Sequence, residues 1–200
     1  MPDPVINANS VSNVSAGKPK IGGAVFSAPY GSTLPESAAA TLDAAFQNMG
    51  YMADSGVVNS NSMSSNPLRA WGGDIVLVTQ ESKDDTFQFT MIEVLNPDTL
   101  KSVYGSDNVS GELATGISVR ANGKELPPRA WALDMLLRDG AAKRIVIPNG
   151  KITAIGDITY ADNSVVGYPV TLTALPHAAY GGDTHREYII RAASSGSGGS

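Results

Sequence analysis

The chain has 200 residues, of which 42% are apolar and 16% charged, with a formal net charge of -5 and no cysteine. The length suits one sizeable domain with arms; 14 thinly spread basic residues exclude a phosphate-neutralising nucleic-acid binder, and the missing cysteine excludes disulfides, thiolate metal sites and Cys nucleophiles. Globular domains usually carry about 25% charged residues, so this surface is rich in Ser, Thr, Asn and Gly, a composition that hints at assembly.

Residues 1–20 contain Asn, Ser, Pro and Gly with isolated valines, too little apolar surface to fold alone, and read as a flexible N-terminal arm. They show neither the basic nor the apolar region of a signal peptide, and no run approaches the roughly 18 apolar residues of a membrane span. The expectation is a soluble protein made in the cytoplasm. The main domain covers 21–191. Within it, "ESAAATLDAAFQNMG" (Glu36 to Gly50) is a weak helical candidate driven by Ala alone. From about 47 to 73 the chain is polar and reads as a long loop, a length that in a compact domain goes with function or disorder. Trp71 closes that loop and anchors it either to its own domain or to a neighbouring chain.

Phe87, Phe89 and Met91 then alternate with Gln88 and Thr90, the period of a half-buried strand. Glu81, Asp84 and Asp85 fall where "VLVTQ" and "TFQFT" suggest a hairpin turn. One short helix follows: Asn96 caps it, Pro97 takes the first position, Asp98 complements the dipole and Gly105 stops it. Leu100, Val103 and Tyr104 share its sheet-facing side.

Turn chemistry marks the second half. Asn122-Gly123, Asp139-Gly140 and Asn149-Gly150 each offer the two positive-φ positions of a type I′ turn, "IVIPNGKITAIG" being the clearest hairpin. A further turn at Asp162-Asn163-Ser164 joins "ITYA" to the next strand. Trp131, Leu133, Met135 and Leu137 alternate with Ala132, Asp134 and Leu136, and Val170, Leu172 and Ala174 alternate with Thr171 and Thr173. The fold class read from these patterns is mainly β: an antiparallel sandwich or barrel with one packed helix, a long loop and terminal arms. Residues 192–200 form a flexible Gly/Ser tail, native or an added linker.

Chemistry is hard to find. His177, Asp183, His185 and Glu187 are legal metal ligands, but Gly181-Gly182 loosens the backbone and no HxH, HxxxH or HExxH spacing occurs, so two solvated loop histidines are expected. Adjacent turn acids do not make a pair facing across a cleft. Neither a phosphate loop nor a nucleophile elbow is present. No catalytic residue, metal or cofactor is expected.

The ordered set Gly50-Tyr51, Gly56, Trp71 to Asp74 ("WGGD"), Thr86 to Thr90 ("TFQFT") and Leu95 to Gly105 ("LNPDTLKSVYG") resembles the major tail subunit, or tail tube protein, of long-tailed siphophages of actinobacteria. The resemblance runs in order over roughly Gly22 to Ile190; some relatives carry an extra immunoglobulin-like domain, and with a Gly/Ser stretch at that place here, surface decoration by such a domain is not expected. It implies hexameric rings whose strands close jointly into one inner β-barrel, stacked into a tube through which the genome passes. It also implies a helix on the outer face of the subunit sheet, and arms and a long loop that bridge neighbours. Partners implied are further copies, a tape-measure protein and tail terminator or tip proteins, with DNA transiting unbound, no membrane insertion, and a place in the virion tail. Candidate inter-subunit contacts on this reading are Val5, Val11, Tyr51, Leu68 and Trp71; candidate lumen-facing acids are Glu81, Asp84 and Asp85. The alternatives are the tube of a contractile phage-derived particle and a β-sandwich carbohydrate-binding module.

Overall fold

The computed structural model describes residues 9–191. Its strands are β1 (Lys18–Pro19), β2 (Val25–Pro29), β3 (Gln47–Asn48), β4 (Met52–Arg69) and β5 (Ile75–Met91). After helix α1 (Pro97–Tyr104) come β6 (Val109–Glu112), β7 (Gly116–Val119), β8 (Arg129–Leu136), β9 (Ala142–Ile155), β10 (Tyr168–Ala174) and β11 (Arg186–Ile190). The fold is mainly β with antiparallel pairing and one α-helix, the class expected from the alternation. The main sheet runs β3-β2-β8-β9-β10-β5-β4, with β1 added on β8 and β11 on β9, while β6 and β7 form a separate ribbon.

This sheet curls around one core. Trp131 and Leu133 of β8, Phe87 and Phe89 of β5, and Val170 and Leu172 of β10 all point into it, and the Phe89 and Trp131 rings meet edge-on at 6.1 Å. The period-two apolar positions put those side chains on one pleat face, and burying them is the main stabilising contribution. Helix α1 covers the same core with Leu100 and Val103. Its caps are those the sequence specifies: Asn96 Oδ1 accepts from Asp98 N–H at 3.0 Å, Pro97 opens the helix, and Gly105 ends it at φ 90°. A Thr99 hydroxyl bond to the Met49 carbonyl (2.9 Å) ties the helix to the chain entering β4.

The structure departs from the expected pattern at several places. Asn149-Gly150 makes no turn, because β9 continues through it. Gly150 is needed for close approach instead: Trp131 Nε1 donates to its carbonyl at 3.2 Å, and a Cβ there would lie 2.6 Å from the indole Cδ1. At that point β9 changes neighbours, pairing with β8 and β11 before it and with β10 after it. Only Asp139-Gly140, at φ 58° and 72°, makes the expected left-handed turn, between β8 and β9. Asn122 accepts from Lys124 N–H in a strandless segment, and no strand forms over "ITYA".

Glu36 to Gly50 is not helical. It lies over the second face of the sheet, where Leu34, Leu42, Ala45 and Phe46 cover Ala28, Ala130 and Ala132. The Ser37 and Ala40 carbonyls, which a helix would use internally, accept from Arg144 Nη1. The guanidinium also forms a bidentate pair with Asp134 at 2.6 and 2.7 Å, and the two residues are only 2% and 5% exposed. Tertiary bonding therefore overrides the helix propensity of Ala.

The expected long loop is a strand, β4, paired along its length with an equally long β5. Its Ser and Asn content hid it, since such residues usually mark loops. The supposed turn at Glu81, Asp84 and Asp85 is likewise part of continuous β5.

Candidate functional site

The β4–β5 ribbon extends past the body of the sheet. Pairing with β10 ends at Thr86↔Thr173, whereas β4 and β5 stay paired out to Arg69↔Ile75. The tip is held by Ala70 N–H to the Asp74 carbonyl (2.8 Å) and by Arg69 Nη1 to the Gly73 carbonyl (2.8 Å), with Gly72 and Gly73 at positive φ. Trp71 sits on this tip with a relative exposure of 107%, so it does not anchor its own domain. Met63, Leu68, Ile75, Val76, Leu77 and Val78 are exposed along the same projection.

Of the other contact candidates, Tyr51 is exposed where the chain enters β4, and Val11 is exposed in a single 3-10 turn. Val5 lies outside the described residues. The segment read as a flexible arm is partly docked: β1 pairs with Met135 and Leu136 of β8, and Ser15 Oγ accepts from Arg138 N–H at 2.6 Å.

Over β5, β10 and the end of β9, the sheet face turned away from the core is polar and rich in hydroxyls. Thr86, Gln88 and Thr90 of β5 pair with Thr173, Thr171 and Pro169 of β10, and Thr153 of β9 bonds the Thr173 hydroxyl at 2.8 Å. Lys151 is neutralised there by Glu125. Asp84 shares this parity, two residues before Thr86, and Glu81 is the extra residue where register shifts opposite Ser64/Ser65.

Asp85 must leave the set of lumen candidates, because it has the opposite parity and is 1% exposed. Its carboxylate accepts from Asn59 Nδ2 (2.9 Å) and Thr184 Oγ1 (2.6 Å), and lies 2.5 Å from His185 Nδ1. His185 also stands edge-on to Phe87, and His177 stacks edge-on with Tyr30 and Tyr180. Neither is the solvated loop histidine expected. Sequence alone gave no sign of a pairing across about a hundred residues. Among the described residues no group of three or more His, Cys, Asp or Glu could hold a metal ion, and no helix is long and apolar enough to cross a membrane.

Burial by itself raises Asp85, but the bonds from Thr184, Asn59 and His185, together with the His185 charge, outweigh it and hold the carboxyl below its usual value. A depressed folded value gives stability that is present above the unfolded value and lost as pH falls through the folded one. Asp85→Asn is therefore expected to unfold in less urea than the parent at pH 6, by about 1–3 kcal/mol, with the gap closing below about pH 4. A gap that stays constant from pH 6 to pH 3 would deny Asp85 this role.

A family model described as phage tail tube protein matches residues 9–190. No curated protein matches the chain.

Proposed function

We propose, because the chain belongs to the phage tail tube protein family, that its copies form hexameric rings that stack into the conduit for genome ejection from a long-tailed siphophage. Membership makes it a structural component of the virion tail that self-associates into a tube, and the family is not a class of enzymes.

The observation that carries it is an open sheet. Strand β4 pairs with β5 on one side only, and residues 151–155 of β9 pair with β10 on one side only. Exposed edges this long invite pairing with another chain. An isolated subunit leaves both edges of the β4-β5-β10-β9 sheet open, whereas a ring seats β4 of each copy against the distal β9 of the next and closes a barrel. A head-to-tail contact of that kind generates a closed ring, and stacked rings remain free to grow.

The hydroxyl-rich face is the wall of that barrel on this reading. Thr86, Gln88, Thr90, Thr153, Thr171 and Thr173 present dipoles and no fixed cation to retain phosphates, so DNA slides past without binding. Asp84 adds a negative charge of the repelling sign. A tape-measure protein setting tube length and terminator or tip proteins at the ends are the further partners.

Negative-stain electron microscopy of the concentrated chain tests the reading. Hollow tubes or rings with sixfold symmetry are expected. Uniform small particles that bind glycans would overturn it in favour of a carbohydrate-binding module.

A further inference from the structure

We infer that Trp71, at the tip of the β4–β5 ribbon, seats in the groove between residues 17–24 and the start of β4 on a second copy, making knob and hole of a head-to-tail contact. The inference rests on the self-association proposed above and adds where the tip goes.

The groove holds about 870 Å³ and is walled by Ile21, Tyr51, Met52, Ala53, Val57 and Met135. Ile21 and Tyr51 flank it as exposed apolar side chains, and Gly22 leaves open space beside its own backbone. Its mouth is held open by chemistry within the subunit. Glu93 accepts from Tyr51 N–H at 2.9 Å, and Gly50, at φ 76°, has no side chain in the space that the Glu93 carboxylate fills. On the other side Lys20 bonds the Asp134 carbonyl and β1 lies along β8.

The occupant must come from another chain. Groove and Trp71 sit at opposite ends of β4, and the 17 steps from Met52 to Arg69 span roughly 55 Å at about 3.3 Å per residue. A paired ribbon that long does not fold back on its own root. The tip matches the groove in polarity and charge: Trp71 lies between Arg69 and Asp74, and of the charged residues lining the groove Lys20, Asp134 and Glu93 are already engaged within the subunit, which leaves Lys18 and Asp54, one of each sign, to face a partner. The apolar run Ile75 to Val78 behind the tip is exposed on both pleat faces, a hazard unless assembly covers it. Because knob and hole differ and lie far apart on one strand, the contact repeats by translation and makes an open stack. With strands inclined about 35–45° to a barrel axis, the axial repeat is roughly 40–45 Å.

The two tryptophans make the test direct. Trp131 is buried and Trp71 fully exposed, so acrylamide should quench about half of the subunit's emission and far less of the tube's. Ala53→Arg, which fills the groove from a partly exposed wall position, should leave the subunit folded and Trp71 quenchable while stacking falls at least tenfold. The chain lacks cysteine, so Ala70→Cys, which keeps Trp71, combined with Ala53→Cys should give a ladder of disulfide-linked multimers from assembled protein, and either change alone should not. Tubes in which Trp71 stays fully quenchable, or Ala53→Arg tubes that form normally and protect it, would overturn this seat and leave the tube reading standing. A chain that forms neither tubes nor rings at any concentration would overturn both.

Discussion

Replacing residues 63–83 by Asn-Gly, so that Ser62 and Asp84 flank a two-residue turn, should abolish tube formation and leave the subunit folded. Ser62 and Asp84 are already directly paired, and Asn-Gly supplies the two positive-φ positions that such a turn needs. No buried core residue is removed, since the ribbon beyond this pair is exposed along both strands. The melting temperature should therefore move by no more than about 5 °C, the effect of roughly 1–2 kcal/mol in a domain of this size.

Assembly loses far more. The deleted ribbon carries Met63, Leu68, Trp71 and the Ile75–Val78 run, all exposed in the subunit. Burying such side chains contributes about 1.5–3 kcal/mol each, so even partial burial of the run is a large share of what assembly can gain. Sedimentation and electron microscopy at concentrations where the parent forms tubes would read the result. Tubes of unchanged yield from the shortened chain would mean that the ribbon is ornamental, and that contacts elsewhere on the subunit suffice.

Much of this subunit is legible in its sequence. The alternation in Phe87–Met91 and Val170–Ala174 placed the core faces, because a strand with one wet face must write its burial with period two; Trp131 and Leu133 were placed in the same way, although the other face of β8 is buried as well, under Leu42 and Phe46. Helix α1 was legible from Asn96, Pro97 and Gly105, since each answers a local backbone need. What escaped depends on partners distant in sequence. Gly150 resembles a turn residue until Trp131 is seen against it. Asp85 resembles a turn acid until Thr184 and His185 arrive from about a hundred residues away. The ribbon escaped for another reason: both its faces are wet in the subunit, so β4 has no apolar alternation to read. A strand with two wet faces leaves little trace in its own periodicity.

Arg144→Met should be the most damaging single substitution for the subunit itself. The guanidinium satisfies two Asp134 oxygens and the Ser37 and Ala40 carbonyls in a site closed to water. Removing it strands a buried carboxylate, a change worth about 3–5 kcal/mol; Lys20, with its ammonium 3.7 Å from Asp134 and half exposed, compensates little. For a domain of this size the melting temperature should fall by about 10–15 °C, and protease should cut first between Glu36 and Phe46, the segment the arginine pins to β8 and β9. Arg144→Met combined with Asp134→Leu separates the two parts of the loss. Where a buried ion pair stands alone, apolar replacement of both members is often neutral or better. Here the Ser37 and Ala40 carbonyls would still lack their donor, at about 1–3 kcal/mol each. The double variant should therefore fall between Arg144→Met and the parent, with cleavage still concentrated in 36–46. Full recovery of the parent's stability would mean that the arginine serves only its aspartate, and that the segment is held by Leu34, Leu42 and Phe46 alone.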